Sequence, residues 1–401
     1  LYCWYILGAC FLILFFNTGA RMSFGVLLKP MAAAFHWNRG EISAAFLLHM
    51  AVYALSLVVV GKLYDRYGPK WVIVISTLFL AAGYLLTACI TSLWQFFLCY
   101  GVLAAIGLGG TSVPLIAALM SKWFATWRGL AISVTLCGGS LGQFVLVPLL
   151  TSFIARFDWP AAYIVMGLVM LLVNVVLALM IIRGDPEDLG QQAFGAERAG
   201  QPPVSARTSQ RDLSLREACR TPSFWCFFIA MFVCGGGDFL VATHLIPLVT
   251  DHGLDATTGG RLLAWYGLLS VAGLLLAGPA SDMIGSKIPL ATTFLLRVVL
   301  FLLVVQAQTP MTLTLFALAF GFTHLVTAPL TPILVGRLYG LTHVGVIAGM
   351  ITTVHHLAGG LWVYMGGEIF DRTQSYRLAF LYSAILACIA FACSLGIRER
   401  R

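Results

Sequence analysis

Arg297 is set in the run Phe294-Leu295-Leu296-Arg297-Val298-Val299-Leu300. A guanidinium in such surroundings is costly and persists where it meets a partner or a water-filled cavity. Its planar fork matches a carboxylate, so it either holds a structural pair with Asp238 or receives an acidic substrate. Asp238 follows Gly235-Gly236-Gly237, and His244 and Pro247 come soon after. Three glycines can loosen a helix and expose its carbonyls. Asp238 next to Arg297 could then bind or release a proton according to what the guanidinium holds, which makes Asp238 and His244 the candidate proton-coupling residues. His324, Tyr266, Tyr364 and Tyr100 are candidates to line a binding site with Arg297. His355 and His356 are weaker ones, since adjacent helical residues point about 100° apart and at most one can face a cavity. No nucleophile, base and orienting group gather near one face, so an enzyme is disfavoured. The ten cysteines form no C-x-x-C pair and nearly all lie in apolar runs, where they read as small buried hydrophobes. No metal site and no cofactor are expected.

The elements that must position these residues follow from composition. Sixty per cent of the residues are hydrophobic and ten per cent charged, with a mean hydropathy of +0.92, far below the roughly 25% charge of a soluble domain. Lipid accepts so much apolar surface provided that each span satisfies its own backbone as a helix. Apolar stretches of about 20 residues fall near 2–28, 42–61, 71–90, 93–119, 129–154, 161–182, 223–250, 258–280, 288–306, 311–336, 344–370 and 376–396. The expectation is an all-α integral membrane protein of twelve transmembrane helices in two six-helix bundles, residues 1–182 and 223–401. Residues 183–222 form a polar cytoplasmic linker, helical at most around Asp212 to Arg220. Lys62, Arg66, Lys70, Lys122, Arg128, the linker arginines, Lys287, Arg337 and the carboxyl-terminal arginines share one side. Arg21, Lys29, Arg39, Arg156, Arg261, Arg372 and Arg377 fall on the other. The positive-inside rule then places both termini and the linker in the cytoplasm, and it accounts for the net charge of +8 without nucleic acid. The first apolar stretch is not expected to be a signal peptide, because no small-residue cleavage site follows it, and the natural amino terminus is expected to precede Leu1.

One charged motif occurs twice. Gly61-Lys62-Leu63-Tyr64-Asp65-Arg66-Tyr67-Gly68-Pro69-Lys70 and Gly278-Pro279-Ala280-Ser281-Asp282-Met283-Ile284-Gly285-Ser286-Lys287 share the spacing G-x-x-x-D-x-x-G-x-K. Each copy follows the second span of its half, so the chain is a duplicated bundle, as in many secondary transporters. Glycines in the motif would let neighbouring helices approach, while Asp65 and Arg66 could pair with each other, with Lys70 or with a helix end. The repeated pattern resembles the signature of the major facilitator superfamily. Ser23-Phe24-Gly25-Val26-Leu27-Leu28-Lys29-Pro30 with Phe35-His36-Trp37 resembles the end of the first helix in monocarboxylate porters. Trp123-Phe124-Ala125-Thr126-Trp127-Arg128-Gly129-Leu130-Ala131, continuing to Gly138-Gly139-Ser140-Leu141-Gly142, is similar to that family's fifth-helix signature. Physically, the cluster around Gly138 and Gly142 is a small-residue face that lets the fifth span pack closely on a neighbour and slide.

The resemblance implies a proton-coupled carrier of small monocarboxylates such as lactate or pyruvate, working by alternating access as a monomer in the cell (inner) membrane. Its partners would be the carboxylate, protons and membrane lipid. Arg21 lies near the position where animal members carry a functional lysine. Those members also place an Asp and an Arg on the eighth helix, where this chain has Ser270 and Leu274; their work would pass to Asp238 and Arg297, or the substrate would differ. An oxalate/formate-type anion exchanger would want a second deep cation, and a drug or siderophore exporter a roomier aromatic and acidic cavity.

Overall fold

The computed structural model describes residues 2–196, 213–340 and 343–398. Among them, ten helices are long and apolar enough to cross a membrane: α1 Tyr2–Phe35, α2 Arg39–Thr87, α3 Leu93–Trp123, α4 Arg128–Met180, α5 Pro222–Asp251, α6 Ala256–Ile284, α7 Lys287–Gln306, α8 Pro310–Tyr339, α9 Val344–Thr373 and α10 Arg377–Gly396. α2 has 49 residues and α4 has 53. At 1.5 Å per residue each would run about 75–80 Å, against a hydrocarbon core of about 30 Å. Each is broken once. Gly68 adopts φ 76°, ψ 167°, and Asp158 adopts φ 69°, ψ 170°. Glycine takes that backbone freely. Asp158 holds it while its carboxylate accepts the Trp159 N–H at 2.7 Å. α2 thus carries the second and third expected spans and α4 the fifth and sixth, so ten helices hold twelve crossings.

The chain divides into two compact units, residues 1–30 with 48–208 and residues 31–47 with 209–401. The stretch 31–47, expected within the amino-terminal bundle, packs with the second unit. In the first unit α1 lies along α4. A Cβ at Gly142 would overlap the Phe15 carbonyl, and one at Gly138 would come within 2.5 Å of the Phe11 carbonyl oxygen. The small-residue face of the fifth span therefore meets the first helix backbone to backbone, the contact that packing forces favour in lipid. α3 contains a π-helical stretch, Phe97–Ala104.

In the second unit α5 packs on α9, α7 on α10 and α6 on α8. α5 runs unbroken through Gly235-Gly236-Gly237. Where loosening was expected, Gly235 instead faces the His355 carbonyl, which a Cβ would overlap, so it sets the α5–α9 distance. α8 bends at Leu325, separating Pro310–His324 from Thr327–Tyr339.

Of the linker, residues 197–212 lie outside the described residues. Before them, Phe194 returns to the first unit, donating its N–H to the Trp123 carbonyl at 2.9 Å and accepting from Ala125 and Thr126, with its ring against Trp4 and Phe124. After them a single helical turn, Leu215–Ala218, is capped by Ser214 and Glu217. It falls inside the helical stretch expected near Arg220, while Asp212 is not among the described residues.

Candidate functional site

Five helices of the second unit, α5 to α9, bring one charged cluster together. The Asp238 carboxylate, midway along α5, accepts from Arg297 Nη2 of α7 at 2.6 Å, and both side chains are 1% exposed. Arg297 spends its whole fork. Nε donates to Thr323 Oγ1 at 3.1 Å, Nη1 to the Cys234 carbonyl at 3.3 Å and to Cys234 Sγ at 3.4 Å, and Nη2 also to the Thr323 carbonyl at 3.0 Å. The bend of α8 explains the last contact, because carbonyls in a helix's final turn lack an intrahelical donor. The Phe320 ring lies 4.8 Å from the guanidinium carbon.

Two histidines flank the carboxylate. His324 Nδ1 is 3.3 Å from Asp238 Oδ1 and 2.8 Å from the Tyr266 hydroxyl. His355 Nε2 is 3.9 Å from Asp238 Oδ2. Its neighbour His356 turns to its own helix, at 2.9 Å from the Thr352 carbonyl, so one of the two faces the cluster. Cys234, grouped in the sequence with the inert thiols, donates to Asp238 at 3.3 Å and stands 3.4 Å from the Thr327 hydroxyl. Ligating atoms of Cys234, Asp238 and His355 lie within 4.8 Å of one another, and the guanidinium supplies a positive charge against two of the three.

His244 belongs to a second network. Its Nε2 donates to the Val363 carbonyl at 2.9 Å, and its Nδ1 lies 3.0 Å from the Tyr376 hydroxyl. Tyr376 accepts from Arg39 Nη1 at 2.8 Å, and Arg39 grips Asp251 with both terminal nitrogens at 2.7 and 2.9 Å. Asp371 accepts the Arg39 and Gly40 N–H groups at 3.1 and 2.6 Å, capping the start of α2. None of Arg39, Asp251, Asp371 or Tyr376 was singled out from sequence. They sit at helix ends, where a charge reads as ordinary surface.

Tyr364 is half-buried on α9. Tyr100 is buried in the first unit, in the π-helical stretch, between the rings of Phe24 at 5.1 Å and Phe96 at 5.2 Å, with its carbonyl accepting from His49 Nδ1 at 2.8 Å. Arg21 lies in the same unit with its guanidinium carbon 5.9 Å from the Tyr53 ring. Ser270 is buried and donates to the Gly267 carbonyl at 2.6 Å, and Leu274 is buried.

The repeated motifs mark helix ends. Gly68 and Gly285 both have positive φ, 76° and 85°. A Cβ at Gly61 or Gly278 would meet no atom within 4 Å, so close helix approach is not their role in this conformation. Arg66 lies over Tyr67 at 5.2 Å and Lys70 over Trp71 at 5.6 Å. Asp65 stands with them on α2. In the second copy Asp282 pairs with Arg337 at 3.4 Å, and Arg337 also donates to the Ser281 carbonyl at 3.1 Å. Arg128 opens α4, and its side chain lies outside what is described.

The Major Facilitator Superfamily profile matches residues 10–361 and 227–401. The uncharacterized MFS-type transporter YcxA of Bacillus subtilis (strain 168) is 26% identical over 97% of this chain and 92% of that protein. Monocarboxylate transporter 13 of Bos taurus is 25% identical over 90% and 82%, and the oxalate:formate antiporter of Oxalobacter formigenes is 24% identical over 99% and 92%. Among solved structures, a bacterial homologue of the human lysosomal transporter Spinster, in an inward-facing and occupied conformation, superposes with a TM-score of 0.77 at 15% identity, covering 99% of this chain and 97% of that one.

Proposed function

The chain belongs to the major facilitator superfamily and is a secondary transporter, not an enzyme; from that premise we propose that it moves small monocarboxylate anions together with a proton. The observation that carries this reading is the Arg297–Asp238 pair, 1% exposed and ringed by His324 and His355. A guanidinium whose donors all rest on the protein has no fork to spare. A substrate carboxylate can take Asp238's place on Arg297 only if the displaced negative charge is compensated, and a proton entering the cluster does that. Anion and proton then move together, leaving the site's net charge unchanged. Tyr266 and His324 line the cluster, so they are the side chains beside an anion held there. With a single guanidinium in it, the cluster suits a monoanion better than a dianion. The likeness to a monocarboxylate transporter supports this class, and that to an oxalate:formate antiporter supplies the competing one. Orientation follows the lysine and arginine bias, with the linker and both termini on the cytoplasmic side.

The test is uptake of labelled lactate, pyruvate, acetate and oxalate into proteoliposomes, with and without an acid-outside gradient, for wild type and Arg297→Ala. Monocarboxylate accumulation driven by the proton gradient and lost in Arg297→Ala is expected. Oxalate exchange indifferent to pH would replace the symport reading with antiport, and uptake surviving the replacement would remove Arg297 from the site.

A further inference from the structure

We infer that His324 is the side chain that carries the coupled proton and that Tyr266 positions it. This rests on the symport reading above and deepens it. His324 closes the first half of α8; Tyr266 from α6 and Asp238 from α5 face it, and Asp238 in turn meets Cys234 on its own helix, Arg297 of α7 and His355 of α9. Its Nδ1 stands 2.8 Å from the Tyr266 oxygen and 3.3 Å from Asp238 Oδ1. A carboxylate bound to a guanidinium has lone pairs and no proton to give, so a bare Nδ1 would set lone pair against lone pair. The Asp238 contact therefore assigns the hydrogen to Nδ1, and the Tyr266 oxygen accepts from the same N–H. That leaves Nε2 as the basic nitrogen, and among the described residues nothing hydrogen-bonds it. His324 keeps 9% of its surface exposed, against 1% for Asp238, so the histidine is the less enclosed of the two.

Charge decides the rest. With His324 neutral, Arg297 and Asp238 cancel, and the cluster offers an anion no net attraction. A proton added at Nε2 breaks no bond in the cluster and makes it singly positive, the state that one monocarboxylate neutralises. Protonating Asp238 instead would strip the negative charge from its 2.6 Å contact with Arg297 and leave the buried guanidinium without a counter-charge. His355 is less firmly tied, at 3.9 Å from the carboxylate. The order that follows is proton first, anion second, and both released together.

The experiment measures lactate, pyruvate and acetate uptake, with the accompanying proton movement, in proteoliposomes across a pH series. The variants are His324→Asn, whose amide can still donate to Asp238 but cannot titrate, and Tyr266→Phe, with melting in detergent to confirm that each is folded. Residual His324→Asn uptake is expected to be flat with pH and to move no protons. Tyr266→Phe is expected to move the pH midpoint, whereas a purely structural tyrosine would lower the rate equally at every pH. Wild-type coupling that persists unchanged in folded His324→Asn overturns the assignment and leaves the symport reading standing. Wild type that transports none of the three acids, or transports them without protons, overturns that reading itself. A His324→Asn variant that does not fold passes the decision to Tyr266→Phe, where an unmoved midpoint counts against the inference.

Discussion

Arg297 and Asp238 are stable as a pair and costly apart. Removing one partner of a buried ion pair leaves an uncompensated charge, a loss of about 3–5 kcal/mol, whereas removing both often costs far less. Arg297→Ala should therefore melt well below wild type, and the Arg297→Ala/Asp238→Ala double variant should melt above that single variant while remaining unable to transport. Additive losses in detergent thermal denaturation would mean that the pair is not coupled. Arg297→Lys keeps the charge but replaces a planar five-donor fork with a three-donor ammonium. It cannot reach Thr323 Oγ1, both carbonyls and Asp238 together. The pair was legible in the sequence because a charge in an apolar run demands a partner. Cys234 was not, since a thiol reads as a hydrophobe until a carboxylate 3.3 Å away makes it a donor. The split between His244 and Asp238 was equally hidden, because the helical turns between them carry His244 to Tyr376 and Val363.

Helix packing was legible where spacing alone sets it. The separation of Gly138 from Gly142 puts both on one face of α4, and that face rests on the α1 backbone at Phe11 and Phe15. The break at Gly68 was marked by its glycine and the proline after it. Asp158 carries a comparable break without glycine, held by its own carboxylate on Trp159; the gap between the spans 129–154 and 161–182 and Pro160 mark the place, but not which residue takes the positive φ. Gly235-Gly236-Gly237 shows the limit of composition, since glycine serves an unwound helix and a close contact alike, and only the position of α9 decides between them. Gly142→Val should force α1 and α4 apart and cost about 1–3 kcal/mol, the range for overpacked interiors, with a lower melting temperature and slower uptake. Gly129→Ala is the control, because a Cβ there meets nothing within 4 Å. Equal effects from the two would show that helix propensity, and not the α1–α4 contact, sets the cost.

At the scale of the whole chain, the duplicated G-x-x-x-D-x-x-G-x-K motif revealed two halves before any helix was placed, because a repeat needs no knowledge of contacts. The alliance of residues 31–47 with the second unit could not be read the same way. It rests on Arg39 meeting Asp251 and on Asp371 capping the start of α2, contacts between segments far apart in sequence. In a linear count of charges, Arg39 is merely one cation on the less positive side. That count also yields an orientation, testable at two positions on opposite sides. Cys89 is exposed between the third and fourth spans, and Gln191 is exposed in the linker. In a cysteine-free background restored at one position only, as Cys89 or as Gln191→Cys, a membrane-impermeant maleimide should label Cys89 in intact cells and the linker thiol only after the cells are opened. Crossing number fixes the two positions on opposite sides, so the charge bias is the sole term that chooses between them. The reversed labelling pattern would overturn the cytoplasmic placement of the linker and with it the side from which the proton and anion are expected to arrive.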